Sequence, residues 1–94
     1  MNTKAKGSRA ERRAMRILEA AGYVCTKAGA SLGLFDVVAI GPVDVRLVQV
    51  KSGGEYLSGL EREQITALQV PANCSREAWR FPNRCRVPII ERLS

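Results

Sequence analysis

The sequence predicts an α/β fold: one central mixed sheet of four to five strands flanked by two helices, in the order α-β-β-β-α-β-β. Three observations carry that reading. Apolar residues recur at helical spacing in two stretches, residues 9 to 21 and about 59 to 69. Two runs, Phe35 to Ile40 and Val45 to Lys51, are apolar on both faces and joined by Gly41-Pro42-Val43-Asp44, as central strands of a sheet are. A helix between the third and fourth strands then makes an α/β sandwich.

In chain order, residues 1 to 7 read as a flexible basic arm ahead of a single domain, residues 8 to 94. Ser8 offers an N-cap, and Glu11 three residues later completes a capping box. Ala10, Ala14, Ile17, Leu18 and Ala21 give the first helix its apolar stripe, and Gly22 supplies the stop. Tyr23 to Lys27 is rich in aromatic and β-branched types, which predicts a short strand. Ala28 to Gly33 is small and glycine-rich, a loop whose backbone can approach a ligand closely. After the hairpin, Ser52 to Gly54 breaks the second strand. Ser58 and Glu61 form a second capping box, and Leu60, Gln64, Ile65 and Leu68 carry a helix that Pro71 stops. Glu77 to Phe81 alternates, with Trp79 and Phe81 on one side and Arg80 on the other. Arg86 to Leu93 is a last strand, and Pro88 marks it as an edge.

A chain of 94 residues is long enough for one domain with a modest core. With 46% apolar residues and dispersed charges, no run reaches the 18 apolar residues of a membrane span. The basic N-terminus is not followed by the apolar stretch of a secretory signal, so a cytoplasmic location is expected. Cys25, Cys74 and Cys85 are odd in number, lack CxxC spacing and have no histidine beside them, which argues against structural zinc. They read as small buried apolar residues, with Cys74 and Cys85 lying close across a turn as the alternative.

The formal charge of +6 is uneven. Lys4, Lys6, Arg9, Arg12, Arg13 and Arg16 crowd the first sixteen residues, and a polyanion is the natural partner of such a cluster. A solvated helix face is the rival reading. A second basic group, Arg76, Arg80, Arg84 and Arg86, favours nucleic acid.

The apolar hairpin strands carry three polar groups that call for a reason. Side chains two apart on a strand project from one face, about 6.8 Å apart, so Gln49 and Lys51 look toward whatever Asp36 faces if the register permits. A carboxylate, an amide oxygen and the Val50 carbonyl between them make a hard oxygen site for Mg²⁺ or Mn²⁺. Lys51 would bind a scissile phosphate or help to activate water. Each residue has a rival role: Asp36 capping a turn, Gln49 satisfying a backbone group, Lys51 ending its strand in solvent. Jointly these are less economical, because three polar groups buried unpaired would each cost on the order of 1 to 3 kcal/mol. Glu11, beside Ala14 and Leu18 at the border of the buried helix face, adds a second carboxylate, unless it only closes its capping box.

Asp36, about a dozen residues, then Gln49-Val50-Lys51, preceded by Glu11 in KGSRAERRAMRILEAAGY and followed by a helix with Glu63-Gln64, resembles the PD-(D/E)XK nuclease superfamily. Within it the pattern is similar to the archaeal-type Holliday-junction resolvases, with kinship to Mrr-like and VRR-NUC nucleases. The resemblance covers roughly residues 6 to 70. It implies a restriction-endonuclease-like core in which Glu11, Asp36 and Gln49 surround the divalent metal and Lys51 is the catalytic lysine. It places Ser31 near the phosphate and Gln64 on the helix beside the site. It further implies a homodimer, and a structure-specific DNA endonuclease that hydrolyses phosphodiester bonds in branched DNA. Lys4, Lys6, Arg9, Arg12, Arg13, Arg16, Lys27, Gln64 and Arg80 are the candidate DNA contacts. Two departures stand out. Gln49 occupies a position where the usual pattern has Glu or Asp, although Mrr-like relatives carry the same Gln-x-Lys form, and the C-terminal portion is short for a resolvase. The alternative is a non-catalytic DNA-binding module on a degenerate nuclease fold.

Overall fold

The computed structural model describes residues 3–28 and 34–93, with side chains from Arg9 onward. The elements run α1 (Thr3–Ala20), β1 (Val24–Lys27), β2 (Val37–Ile40), β3 (Val45–Ser52), α2 (Gly59–Ala67), β4 (Cys74–Phe81) and β5 (Ile89–Arg92). The expected order of helices and strands is therefore the observed one.

The first helix begins earlier than its capping residues imply. It starts at Thr3, so Ser8 and Glu11 both lie inside it and the expected Ser8–Glu11 capping box does not form. The Lys and Ala residues of TKAKG are good helix formers, and together they carry the helix through Gly7. The other end is as expected. Gly22 adopts φ 99°, a left-handed conformation that costs glycine nothing. The Tyr23 N–H then donates to Leu18 O at 3.1 Å and the Gly22 N–H to Glu19 O at 3.0 Å, the paired bonds of a Schellman stop.

The five strands form one sheet in the order β1-β2-β3-β4-β5. β1, β2 and β3 form an antiparallel meander. α2 returns the chain so that β4 runs parallel to β3, and β5 closes the sheet antiparallel to β4. β5 is an edge strand, in keeping with Pro88 just before it. The hairpin turn is tight because the Gly41 N–H donates to Asp44 O at 2.8 Å. A Cβ on Gly41 would stand 2.8 Å from the Tyr23 ring, whose hydroxyl donates to both Asp44 oxygens at 2.9 and 3.0 Å.

The core lies between α1 and one face of the sheet. Ala10, Ala14 and Leu18 on the helix meet Val37, Ala39, Val48, Trp79 and Phe81. Small residues on the helix let its axis come close, and the large rings of β4 fill the space beyond. This face also holds a buried charge. Glu77, 3% exposed, accepts two bonds from Arg46, at 2.7 and 2.8 Å, and further bonds from the Ser75 hydroxyl at 2.6 Å and the Trp79 indole at 2.9 Å. Arg46 is sandwiched by the Tyr23 and Trp79 rings, 5.4 and 5.5 Å from their centroids. A buried ion pair needs this degree of satisfaction to offset its desolvation.

The opposite face carries α2, held more by polar anchors than by apolar packing. Its N-terminus is closed by the expected box, in which the Glu61 N–H donates to Ser58 Oγ and the Ser58 N–H to Glu61 Oε1. Its last carbonyls have no basic residue of their own helix nearby, and Arg76 from β4 donates to Ile65 O at 3.2 Å, Thr66 O at 3.0 Å and Leu68 O. Ile65 is its buried apolar anchor. The cysteines are free and partly buried, and Cys25 packs against the core.

Candidate active site

The sheet register brings together the three residues of the hairpin. Val37 pairs with Val48, and the Asp36 N–H continues the ladder by donating to Val48 O at 2.8 Å, which sets Asp36 across from Gln49. Val48 faces α1. Gln49 and Lys51 therefore project from the opposite face, together with Asp36.

Each of the three is held differently. Asp36 Oδ2 accepts the Val50 N–H at 2.8 Å, so the carboxylate takes the ladder position that β2 leaves open before Val37. Gln49 is 7% exposed, and its Oε1 is buried without a hydrogen-bond partner. Lys51 Nζ lies 3.0 Å from Glu61 Oε2, with its side chain 18% exposed. Glu61 thus serves two masters: one oxygen closes the α2 capping box and the other fixes the lysine. Sequence reasoning found Glu61 as a cap and missed it as a neighbour of the site. The position of α2 over β3 decides that contact, and no spacing encodes it.

Glu11 comes from the other side of the sheet. Being inside α1 rather than at its cap, it has its carboxylate free of the helix end, and it faces Lys27 Nζ at 3.9 Å. Burial raises its pKa above the ordinary glutamate value; the Asp36 charge adds to this and Lys27 partly offsets it. Asp36 is raised too, chiefly by burial and further by Glu61 and Glu55, against the pull of the Val50 N–H and Lys51. Two carboxylates held near each other in a half-buried site, with a buried amide oxygen that has no donor, form a donor set that a hard divalent cation fits. Among the described residues no three of His, Cys, Asp and Glu gather as a metal cluster, so the third side-chain donor is the neutral Gln49.

The remaining candidates divide. Arg9, Arg12, Arg13 and Arg16 line one hollow along α1. Arg80 lies on the Lys51 side of the sheet, stacked 4.4 Å from the Tyr56 ring centroid, and the two line a cleft with Lys51, Leu57 and Arg62. Gln64 is exposed on α2. Arg76, part of the second basic group, is turned inward to cap α2. Ser31 falls outside the described residues, as do the side chains of Lys4 and Lys6.

With this geometry in hand, the comparisons are consistent. The family model described as archaeal Holliday junction resolvase (hjc) matches residues 2–84. No curated protein matches. Among solved structures the chain is similar to that of Archaeoglobus fulgidus Hjc, a Holliday junction resolvase from an archaeal hyperthermophile. That match has a TM-score of 0.76 and 23% identity, over 94% of this chain and 73% of the other, and at that identity it speaks for the fold. Since the family model spans nearly the whole chain and the fold agrees, this protein belongs to the archaeal Holliday junction resolvase family, a family of metal-dependent DNA endonucleases.

Proposed function

We propose that the chain cuts branched DNA, of the four-way-junction kind, at a site made by Glu11, Asp36, Gln49 and Lys51. The observation that carries this reading is the buried, partnerless Gln49 Oε1 set across from Asp36. An amide oxygen in that state costs about 1 to 3 kcal/mol unless something binds it.

In this reading Glu11, Asp36, Gln49 and the Val50 carbonyl hold Mg²⁺ or Mn²⁺, which when bound stabilises charge developing on the phosphate and favours attack by water. Asp36 is aimed by the Val50 N–H. Lys51 has three N–H donors and spends one on Glu61, leaving others for a non-bridging oxygen of the scissile phosphate. Glu61 keeps the ammonium from swinging away and is a positioning residue. Ser31 approaches the phosphate from the preceding loop. The α1 arginines, with Lys4, Lys6, Lys27, Gln64 and Arg80, hold the backbone over the site. The protein acts as a homodimer in the cytoplasm, since two strands must be cut across a junction, and the open β5 edge with exposed Ile89 and Ile90 supports a paired surface.

The test compares a four-way junction, a linear duplex and single-stranded DNA, each with Mg²⁺, Mn²⁺ or chelator. Junction cutting that needs metal and exceeds duplex cutting is expected. Equal cutting of all three would refute the branched-DNA assignment, and a silent calorimetric titration with Mn²⁺ would refute the metal site.

A further inference from the structure

Three adjoining hollows on the α1 side of the sheet are lined by arginines. The first, about 270 Å³, lies among Arg9, Arg12, Arg13 and Arg16. The second, about 350 Å³, has Arg13, Arg16 and Arg86. The third, about 370 Å³, is bounded by Arg13, Arg84 and Arg86 with Gly53 and Phe81. Arg13 belongs to all three, so they run into one another as a track from the outer face of α1 to the β4–β5 loop.

The third hollow has features that a merely solvated basic face lacks. Arg13 is fixed over the Phe81 ring, 5.7 Å from its centroid, so its guanidinium does not wander. Arg84 holds φ 62°, a left-handed conformation that a residue with a Cβ rarely adopts, at the turn that carries it to the hollow. Among the described residues no carboxylate lines the hollow, and none of Arg13, Arg84 and Arg86 forms an ion pair. Three guanidiniums that face one space without a counter-charge repel one another until an anion enters, and their planar donors match phosphate oxygens. Gly53 ties this place to the active site. It stands two residues beyond Lys51, and its N–H donates to Phe81 O at 2.9 Å, locking the ends of β3 and β4 together.

We propose that Arg13, Arg84 and Arg86 form a phosphate subsite for the nucleic-acid backbone, at the same end of the sheet as Lys51 but on the opposite face. It grips the strand away from the bond that is cut. The inference rests on the DNA reading above but not on cleavage.

Binding is therefore measured in chelator, by fluorescence anisotropy with a labelled four-way junction between 50 and 200 mM salt. The proteins compared are the wild type, an Arg84→Gly/Arg86→Gln double variant and an Arg84→Lys/Arg86→Lys double variant. Glycine fits φ 62° without strain, so Arg84→Gly removes charge without harming the turn, and an undiminished melting temperature checks this. The subsite predicts that the first double variant binds roughly tenfold or more weakly near 100 mM salt. Its slope of log Kd against log[salt] should fall by about 1 to 2, near 0.9 per phosphate released. The lysine variant should keep most of the slope. An unchanged affinity and slope in the first double variant would overturn the proposal, and so would weaker binding with an unchanged slope, which marks a structural effect. A wild type that binds junctions in chelator yet never cuts with metal would refute the nuclease reading and leave the subsite standing.

Discussion

At the scale of single residues, the account turns on Gln49. Its neutral amide stands where a carboxylate would add negative charge, and ligand charge is a main determinant of divalent-ion affinity. Gln49→Glu is expected to tighten Mn²⁺ binding on the order of tenfold in calorimetry. Without metal it should lower the melting temperature, because a third acid then joins Asp36 and Glu11 in a half-buried site. Unchanged affinity would mean that Gln49 does not face the ion. The common orientation of Asp36, Gln49 and Lys51 was legible in the sequence, since strand side chains alternate and the Gly41–Asp44 turn fixes the register. The Lys51–Glu61 contact was not, because it depends on where α2 settles.

At the scale of elements, α2 couples stability to function. It is held by its capping box, by Arg76 across its C-terminal carbonyls and by the Arg62–Glu91 pair to β5. Ser58→Ala removes half of the box and should cost about 1 kcal/mol in denaturant unfolding. It should also slow cleavage, since Glu61 loses the helix end that aims it at Lys51; full activity would show that the lysine needs no such hold. The start of α1 was misplaced because Ser8-x-x-Glu11 satisfies a local capping rule, while the helix-forming residues before it extend the helix past the cap. On the α1 face, burial pushes the Glu77 carboxyl up, but its bonds to Arg46, Ser75 and Trp79 outweigh this and hold it below the ordinary glutamate value. A carboxylate with a lowered folded-state pKa contributes stability above its unfolded value and loses it as pH falls through the folded one. Wild type should therefore lose more stability than Glu77→Gln on acidification from pH 6 toward the carboxylate range, as read by melting temperature against pH. At neutral pH the variant should be less stable by roughly 3 kcal/mol, because Arg46 is left without its carboxylate. Parallel pH curves for the two proteins would contradict this.

At the scale of the molecule, the sheet divides the labour. One face is closed by α1 over an apolar core with a single satisfied ion pair. The other face and the C-terminal end of β3 keep polar groups for chemistry, and arginines from both ends of the chain flank them. The alternation of strands and helices made this architecture readable, and the charge imbalance made the partner class readable. The sequence did not reveal that the two basic groups part company: Arg76 turns inward to a helix end, Arg80 stacks on Tyr56, and Arg84 and Arg86 join the α1 arginines. Those assignments depend on strand register and on a left-handed turn at Arg84 that no glycine announces.

The central claim is that Asp36 and Lys51 do the cutting and the arginines do the holding. The direct measurement is single-turnover cleavage of a four-way junction at saturating protein with Mg²⁺ or Mn²⁺, beside junction affinity in chelator, for wild type, Asp36→Ala and Lys51→Ala. Each substitution is expected to slow cleavage on the order of 10²- to 10³-fold while junction affinity changes little. Cleavage that survives both substitutions would contradict the account.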